Sequence, residues 1–234
     1  MRLFIDCIDP KIIIVSENQI RQINEAMDGD FRLDDLESLP SYRARLKYCR
    51  EHLGKQIGSG SSRVVFQVSD NMCLKLAKNE KGIAQNDEEG QSYHARYCFM
   101  PKVFSRSNSG KWLLSEYVLP SKAKDFIHCL GMEFDELCDF VEWASGAYNR
   151  SSWYFQHKCP NEEYYQSLID YGADDGSYSE FFDDLYSYIV NEQPPIGDLK
   201  RTSSWGMAMR DGKPMMVLLD SGFSQWVLDK YYKR

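Results

Sequence analysis

Residues 53–77 read LGKQIGSGSSRVVFQVSDNMCLKLA, and no other stretch limits the fold as strongly. A Gly58-Ser59-Gly60 loop runs directly into Arg63-Val64-Val65-Phe66-Gln67-Val68, a series of β-formers. Ser69-Asp70-Asn71 is a turn signal, and Met72–Ala77 returns as a second strand. A dinucleotide-binding fold or a Walker loop needs a helix straight after the glycines, so that its N-terminus meets the phosphates. Here a strand follows instead, and Gly-Lys-Ser/Thr is absent. The order predicts a β-turn-β flap, in which small residues such as Gly58, Gly60 and Ser61 let backbone N–H groups approach an anion.

Lys75 is the second element of this pattern. It alternates with Leu74 and Leu76, so it points away from two apolar residues and shares a face with Cys73 and Ala77. A lysine with an apolar lining is costly on a strand unless it meets an anion. The competing reading is an exposed lysine on an edge strand.

The rest of the chain narrows the classes. Its 234 residues are enough for one two-lobed domain or two small ones. A net charge of −7 with no long Lys/Arg run argues against a general nucleic-acid binder. Seven cysteines without a C-x-x-C pair read as reduced thiols, and the four histidines add no metal-ligand spacing. The N-terminus lacks a signal-peptide pattern, and the run Ile12–Val15 is far too short to span a bilayer. A cytoplasmic protein with no membrane partner is expected.

Residues 1–52 read as an extension: a strand at Lys11–Val15, a helix capped by Ser16 with Ile20, Ile23 and Met27 on one face, and a second helix over 33–52. This region is either a packing element or a partner-binding arm. Residues 53–119 form a β-rich lobe with a helical segment over Glu80–Tyr97 and a hairpin from Lys102–Ser105 to Lys111–Val118. Residues 120–234 are mainly helical, with helices expected over Asp125–Ala147 and Ser179–Asn191, the latter stopped by Pro194-Pro195. Asn149–Asp175 shows no clear pattern, and Met215–Leu219 is β-like and ends at Asp220. A hinge falls near Glu116–Pro120.

Gly58–Val65 matches G-x-G-x-x-G-x-V except that Arg63 stands at the third glycine. With Lys75 following, the sequence resembles the protein-kinase-like superfamily, and more narrowly the small kinase-like proteins encoded by bacteriophages, in which CLKLAKNEKGIAQNDEE looks like a recurring block. The resemblance implies an α+β, two-lobed protein-kinase-like fold with an antiparallel β N-lobe and a truncated, mainly α C-lobe. It implies ATP and Mg2+ as cofactors and, for a phage protein, the host cytoplasm as its location. Lys75 would contact the α- and β-phosphates, and Glu89 would pair with it, with Glu88 as competitor. Val65 and Cys73 would cover the adenine. Leu114–Val118 looks like the hinge motif, where Ser115 guards the back pocket and the Glu116 carbonyl and Val118 amide bond the base. Asp198, in Gly197-Asp198-Leu199, would be the catalytic base, and Asp220, before Ser221-Gly222, would hold magnesium.

Three departures stand against a conventional protein kinase. The metal-binding asparagine is missing, with Ser203 or Ser204 at that place. Ile196 replaces the usual histidine, and 14 residues follow Asp220, leaving no room for an activation loop or peptide platform. A minimal phosphotransferase acting on a docked protein or small molecule is expected. The alternative is an inactive pseudokinase that binds a host or phage protein, with Trp153-Tyr154-Phe155 and Tyr164-Tyr165 as its surface. Transfer of AMP on the same fold is a third reading, without separate support in the sequence.

Overall fold

A computed structural model describes residues 31–53, 55–91, 94–146, 162–172, 179–210 and 212–232. The expected strand Lys11–Val15, the helix bearing Ile20, Ile23 and Met27, and Trp153-Tyr154-Phe155 lie outside these residues.

The β-formers around the glycine loop build an antiparallel sheet of five strands in the order β1-β2-β3-β5-β4. The strands are β1 (Gln56–Ser59), β2 (Arg63–Gln67), β3 (Met72–Ala77), β4 (Val103–Arg106) and β5 (Trp112–Glu116). Val65 pairs with Lys75, Arg63 with Ala77 and Cys73 with Ser115. This register puts Arg63, Val65, Cys73 and Lys75 on one face. Val64, Phe66, Leu74 and Leu76 turn the other way and join a core with Phe31, Leu36, Cys49 and Leu114.

Helices α1 (Leu33–Ser38) and α2 (Tyr42–His52) contribute Leu36 and Cys49 to that core. One helix was expected over 33–52. Pro40 divides it, because the residue before a proline disfavours helical backbone, and Leu39 is extended (φ −67°, ψ 130°). Ser41 restarts the helix by accepting a hydrogen bond from the Ala44 amide. Helix α3 (Glu80–Glu89) is capped by Asn79 and ends at Gly90, short of the expected Tyr97.

Tyr117 and Val118 lead from β5 into β6 (Leu119–Pro120), which pairs with β7 (Trp205–Arg210), and β7 pairs with β8 (Lys213–Leu218). Strand β7 was not anticipated: WGMAMR holds glycine, alanine and two methionines in place of β-branched residues. The helices of this lobe are α4 (Ala123–Leu130), α5 (Phe134–Ser145), α6 (Glu162–Tyr171), α7 (Ser179–Glu192), the short α8 (Ile196–Leu199) and α9 (Gln225–Tyr231). The single helix expected over 125–147 is two, because Gly131 takes a left-handed conformation (φ 70°) and ends α4.

The second core is aromatic. Phe99 lies 5.7 Å from Phe181, 5.6 Å from Tyr188 and 6.1 Å from Trp205, measured between ring centroids. Tyr165 is 4% exposed and packs on Phe140 and Trp143, so it is core rather than part of a partner surface. The fold is α+β and two-lobed, with an antiparallel sheet backed by α3 and a mainly helical second lobe. Among the described residues, no helix is long and apolar enough to cross a membrane.

Candidate functional site

The alternation of β3 delivers Lys75 to the face that looks toward the second lobe. Its ammonium forms an ion pair with Glu89 Oε1 and donates to the Leu219 carbonyl at 2.9 Å. Helix α3 presents Glu89, not Glu88, to the lysine, because Gly82, Gln85, Asn86 and Glu89 share its buried side. Burial alone would raise the Glu89 pKa, but the charges of Lys75 and Arg63 hold it down.

Arg63, which stands at the third-glycine position of the motif, joins the same cluster. Its side chain is 7% exposed. It donates to Glu89 Oε2 at 2.7 Å and to Asn86 Oδ1 at 3.2 Å, and it forms an ion pair with Asp220. Burial would lower its pKa, but Asp220 and Glu89 push it up, so the guanidinium stays charged. A usable signal existed: Arg63 stands two residues before Val65, on the same strand face as Lys75.

The glycine loop rests on the start of α3. Lys78 donates to the Ser59 hydroxyl (2.7 Å) and the Gly60 carbonyl (2.5 Å), and Asn79 donates to the Ser61 carbonyl (3.1 Å). Ser62 donates to Gln85 at 2.5 Å. A Cβ on Gly60 would meet nothing within 4 Å, and Gly60 is not among the glycines with positive φ. The fold itself therefore gives no reason for glycine there, whereas close approach by a ligand would.

Lys75 and Leu219 line the smaller of two cavities, and Leu218 and Asp220, on either side of Leu219, line the larger. The smaller, about 200 Å³, is lined by Gly58, Val65, Cys73, Lys75, Glu116 and Val118. Its walls are strand-face residues and the segment 116–120, a mainly apolar lining. Ser115 is fully buried behind it, with its hydroxyl 3.5 Å from the Cys73 sulfur. The Glu116 carboxylate is turned away and accepts from Arg210 at 2.7 Å and the Lys102 amide at 3.1 Å.

The larger cavity, about 460 Å³, is lined among others by Gly60, Ser61, Asp198, Ser203, Ser204 and Asp220. Tyr188, Phe223 and Tyr232 also border it, three residues that no motif in the sequence marks. Asp198 forms an ion pair with Arg201 at 3.3 Å. Burial and the charge of Asp220 raise the Asp198 pKa, while Arg201 opposes the shift. The Asp220 side chain is 57% exposed and lies beyond the end of β8.

A magnesium ion brought in by a phosphate chain takes one or two carboxylates and keeps several waters. The carboxylate expected to hold it, Asp220, is already ion-paired with Arg63, and Ser203 or Ser204 could add only a neutral donor, so the donor set fits the ion poorly. Among the described residues, no three His, Cys, Asp or Glu side chains gather to hold a metal on their own.

No protein-family model matches the chain, and no curated protein matches it. Among solved structures, the chain is similar to the streptomycin–ATP–APH(2")-IIa ternary complex. The identity is 12%, the match covers 78% of this chain and 70% of that one, and the TM-score is 0.33. At that score the likeness adds nothing to the geometry above.

Proposed function

We propose that the protein binds ATP across the two cavities and transfers its γ-phosphoryl group to a hydroxyl acceptor. The observation that carries this reading is the buried Lys75–Glu89 pair: Lys75 lines an apolar cavity at the hinge and donates to Leu219, whose neighbours Leu218 and Asp220 line a larger cavity together with Asp198. The base occupies the smaller cavity against Val65 and Cys73, with the Glu116 carbonyl and Val118 amide as its hydrogen-bond edge. Lys75 meets the α- and β-phosphates, and the backbone of Gly58, Gly60 and Ser61 covers the chain of phosphates.

Asp198 is the general base. It takes the proton of the acceptor hydroxyl as the oxygen bonds to the γ-phosphorus and the bond to ADP breaks. Holding the two reactants in line supplies much of the rate, so a minimal site suffices. The acceptor is borne by a small molecule or by a side chain of a docked protein.

The test is a thermal shift with ATP on wild type and Lys75→Ala, followed by transfer from labelled ATP to candidate acceptors. Saturating ATP is expected to raise the apparent stability of wild type and not of the variant. No shift for wild type would refute the nucleotide site. Binding with label transfer that Asp198→Asn leaves intact would refute the assigned base.

A second reading is nucleotide binding without transfer, in a protein that works by engaging a host or phage partner. The Arg63–Asp220 pair favours it, because the carboxylate assigned to the metal is already engaged. Binding of ATP with no product on any acceptor would select this reading.

A further inference from the structure

Arg63 has no part in the transfer just described, yet its side chain is far more buried than those of Asp198, Arg201 and Asp220, the charged residues that line the larger cavity. It bridges α3 and the end of β8, with one nitrogen on Glu89 and Asn86 and the other on Asp220. Lys75 takes one Glu89 oxygen and Arg63 takes the other. Two cations therefore balance the Glu89 and Asp220 carboxylates. A guanidinium does not lose its proton, so this balance is fixed over the working pH range. A divalent ion arriving at Asp220 must displace Arg63 or sit in contact range of a like charge, which is unfavourable in a partly buried site.

We propose that Arg63 competes with magnesium for Asp220, so that the site takes a nucleoside triphosphate without a divalent cation and the guanidinium meets the phosphates in its place. The nucleotide half of this proposal rests on the function above. The competition for Asp220 does not.

The first arm uses Mn2+ alone, followed by loss of the free-ion EPR signal, on wild type, Arg63→Gln and Arg63→Gln/Asp220→Asn. The expected result is one Mn2+ bound by Arg63→Gln about tenfold more tightly than by wild type, with the gain lost in the double variant. Equal affinity in wild type and Arg63→Gln overturns the proposal. If circular dichroism shows that Arg63→Gln does not fold, wild type and Asp220→Asn decide. Mn2+ binding by wild type that Asp220→Asn abolishes overturns the competition, and equally weak binding by both supports it.

The second arm measures ATP affinity by calorimetry in EDTA and in magnesium. Wild type is expected to differ by no more than about threefold between the two, and Arg63→Gln to lose about tenfold in EDTA and recover it in magnesium. A gain of about tenfold for wild type on adding magnesium overturns the proposal. Should ATP bind under neither condition while the Mn2+ arm behaves as expected, the nucleotide site is refuted and the competition stands.

Discussion

Lys75 and Leu219 meet although 144 residues separate them: the ammonium donates to the Leu219 carbonyl at 2.9 Å. The contact fixes the strand lysine against the residue that precedes Asp220, so one side chain joins the sheet, α3 and the end of β8. Replacing Lys75 with Met keeps the length of the side chain and removes both interactions. It leaves the Glu89 carboxylate buried with Arg63 as its remaining cation. Urea denaturation is expected to show a loss of about 3 kcal/mol. A loss below about 1 kcal/mol would mean that the pair contributes little beyond its own desolvation.

Gly82 lies inside α3, where alanine normally stabilises a helix by about 1 kcal/mol. Here a Cβ would fall 2.2 Å from the Ser62 carbonyl and 3.0 Å from the Ala77 Cα, both backbone. Gly82→Ala is therefore expected to reverse the usual sign and destabilise by about 2 kcal/mol or more. A melting curve that moves upward would show that the loop yields without cost.

Gly60 presents the opposite case. A side chain there enters open space, so Gly60→Val should change folding stability by no more than about 0.5 kcal/mol. The same methyl groups would stand where phosphates approach, and ATP affinity is expected to fall about tenfold or more. Calorimetry showing unchanged affinity would move the phosphates away from this loop.

With Asp198 as the proposed base, its raised pKa would set the acid limb of the reaction. A base acts only when deprotonated, so kcat/KM should fall as pH drops through a value above the usual aspartate range. Arg201 pulls that value down, so Arg201→Gln should shift the limb to higher pH. The folded state favours the protonated form. Asp198 thus costs stability at neutral pH, and that cost disappears as pH falls through the folded value. A limb that Arg201→Gln leaves in place would assign the titration to another group.

The parts of this site that follow from strand alternation were legible in the sequence. The turn at Ser69–Asn71 and the placement of Lys75 opposite Leu74 and Leu76 needed only the two-residue period of a strand. The choice of Glu89 over Glu88 was not legible. The buried residues of α3 are Gly82, Ala84, Gln85, Asn86 and Glu89, and so polar a stripe gives little hydrophobic signal for the helix phase. Arg63 was hidden for a different reason. Matching a glycine motif registers a substitution as a loss, whereas the strand period would have shown a cation added to the lysine face. The residues that close the larger cavity, Tyr188, Phe223 and Tyr232, come from α7 and from the segments flanking α9. Their convergence is set by packing of the second lobe, which local sequence does not record.

The separation between Lys75 and Leu219 also has a meaning for the chain during synthesis. At about 5–20 residues per second, a ribosome needs roughly 7–30 s to go from the lysine to the carbonyl that receives it. Glu89, 14 residues on, emerges early enough to neutralise Lys75, but Asp220 lies 157 residues beyond Arg63 and comes last. In the nascent protein the sheet and α3 must wait with the arginine only partly matched. Until then Arg63 has Glu89 and Asn86 as partners and lacks Asp220.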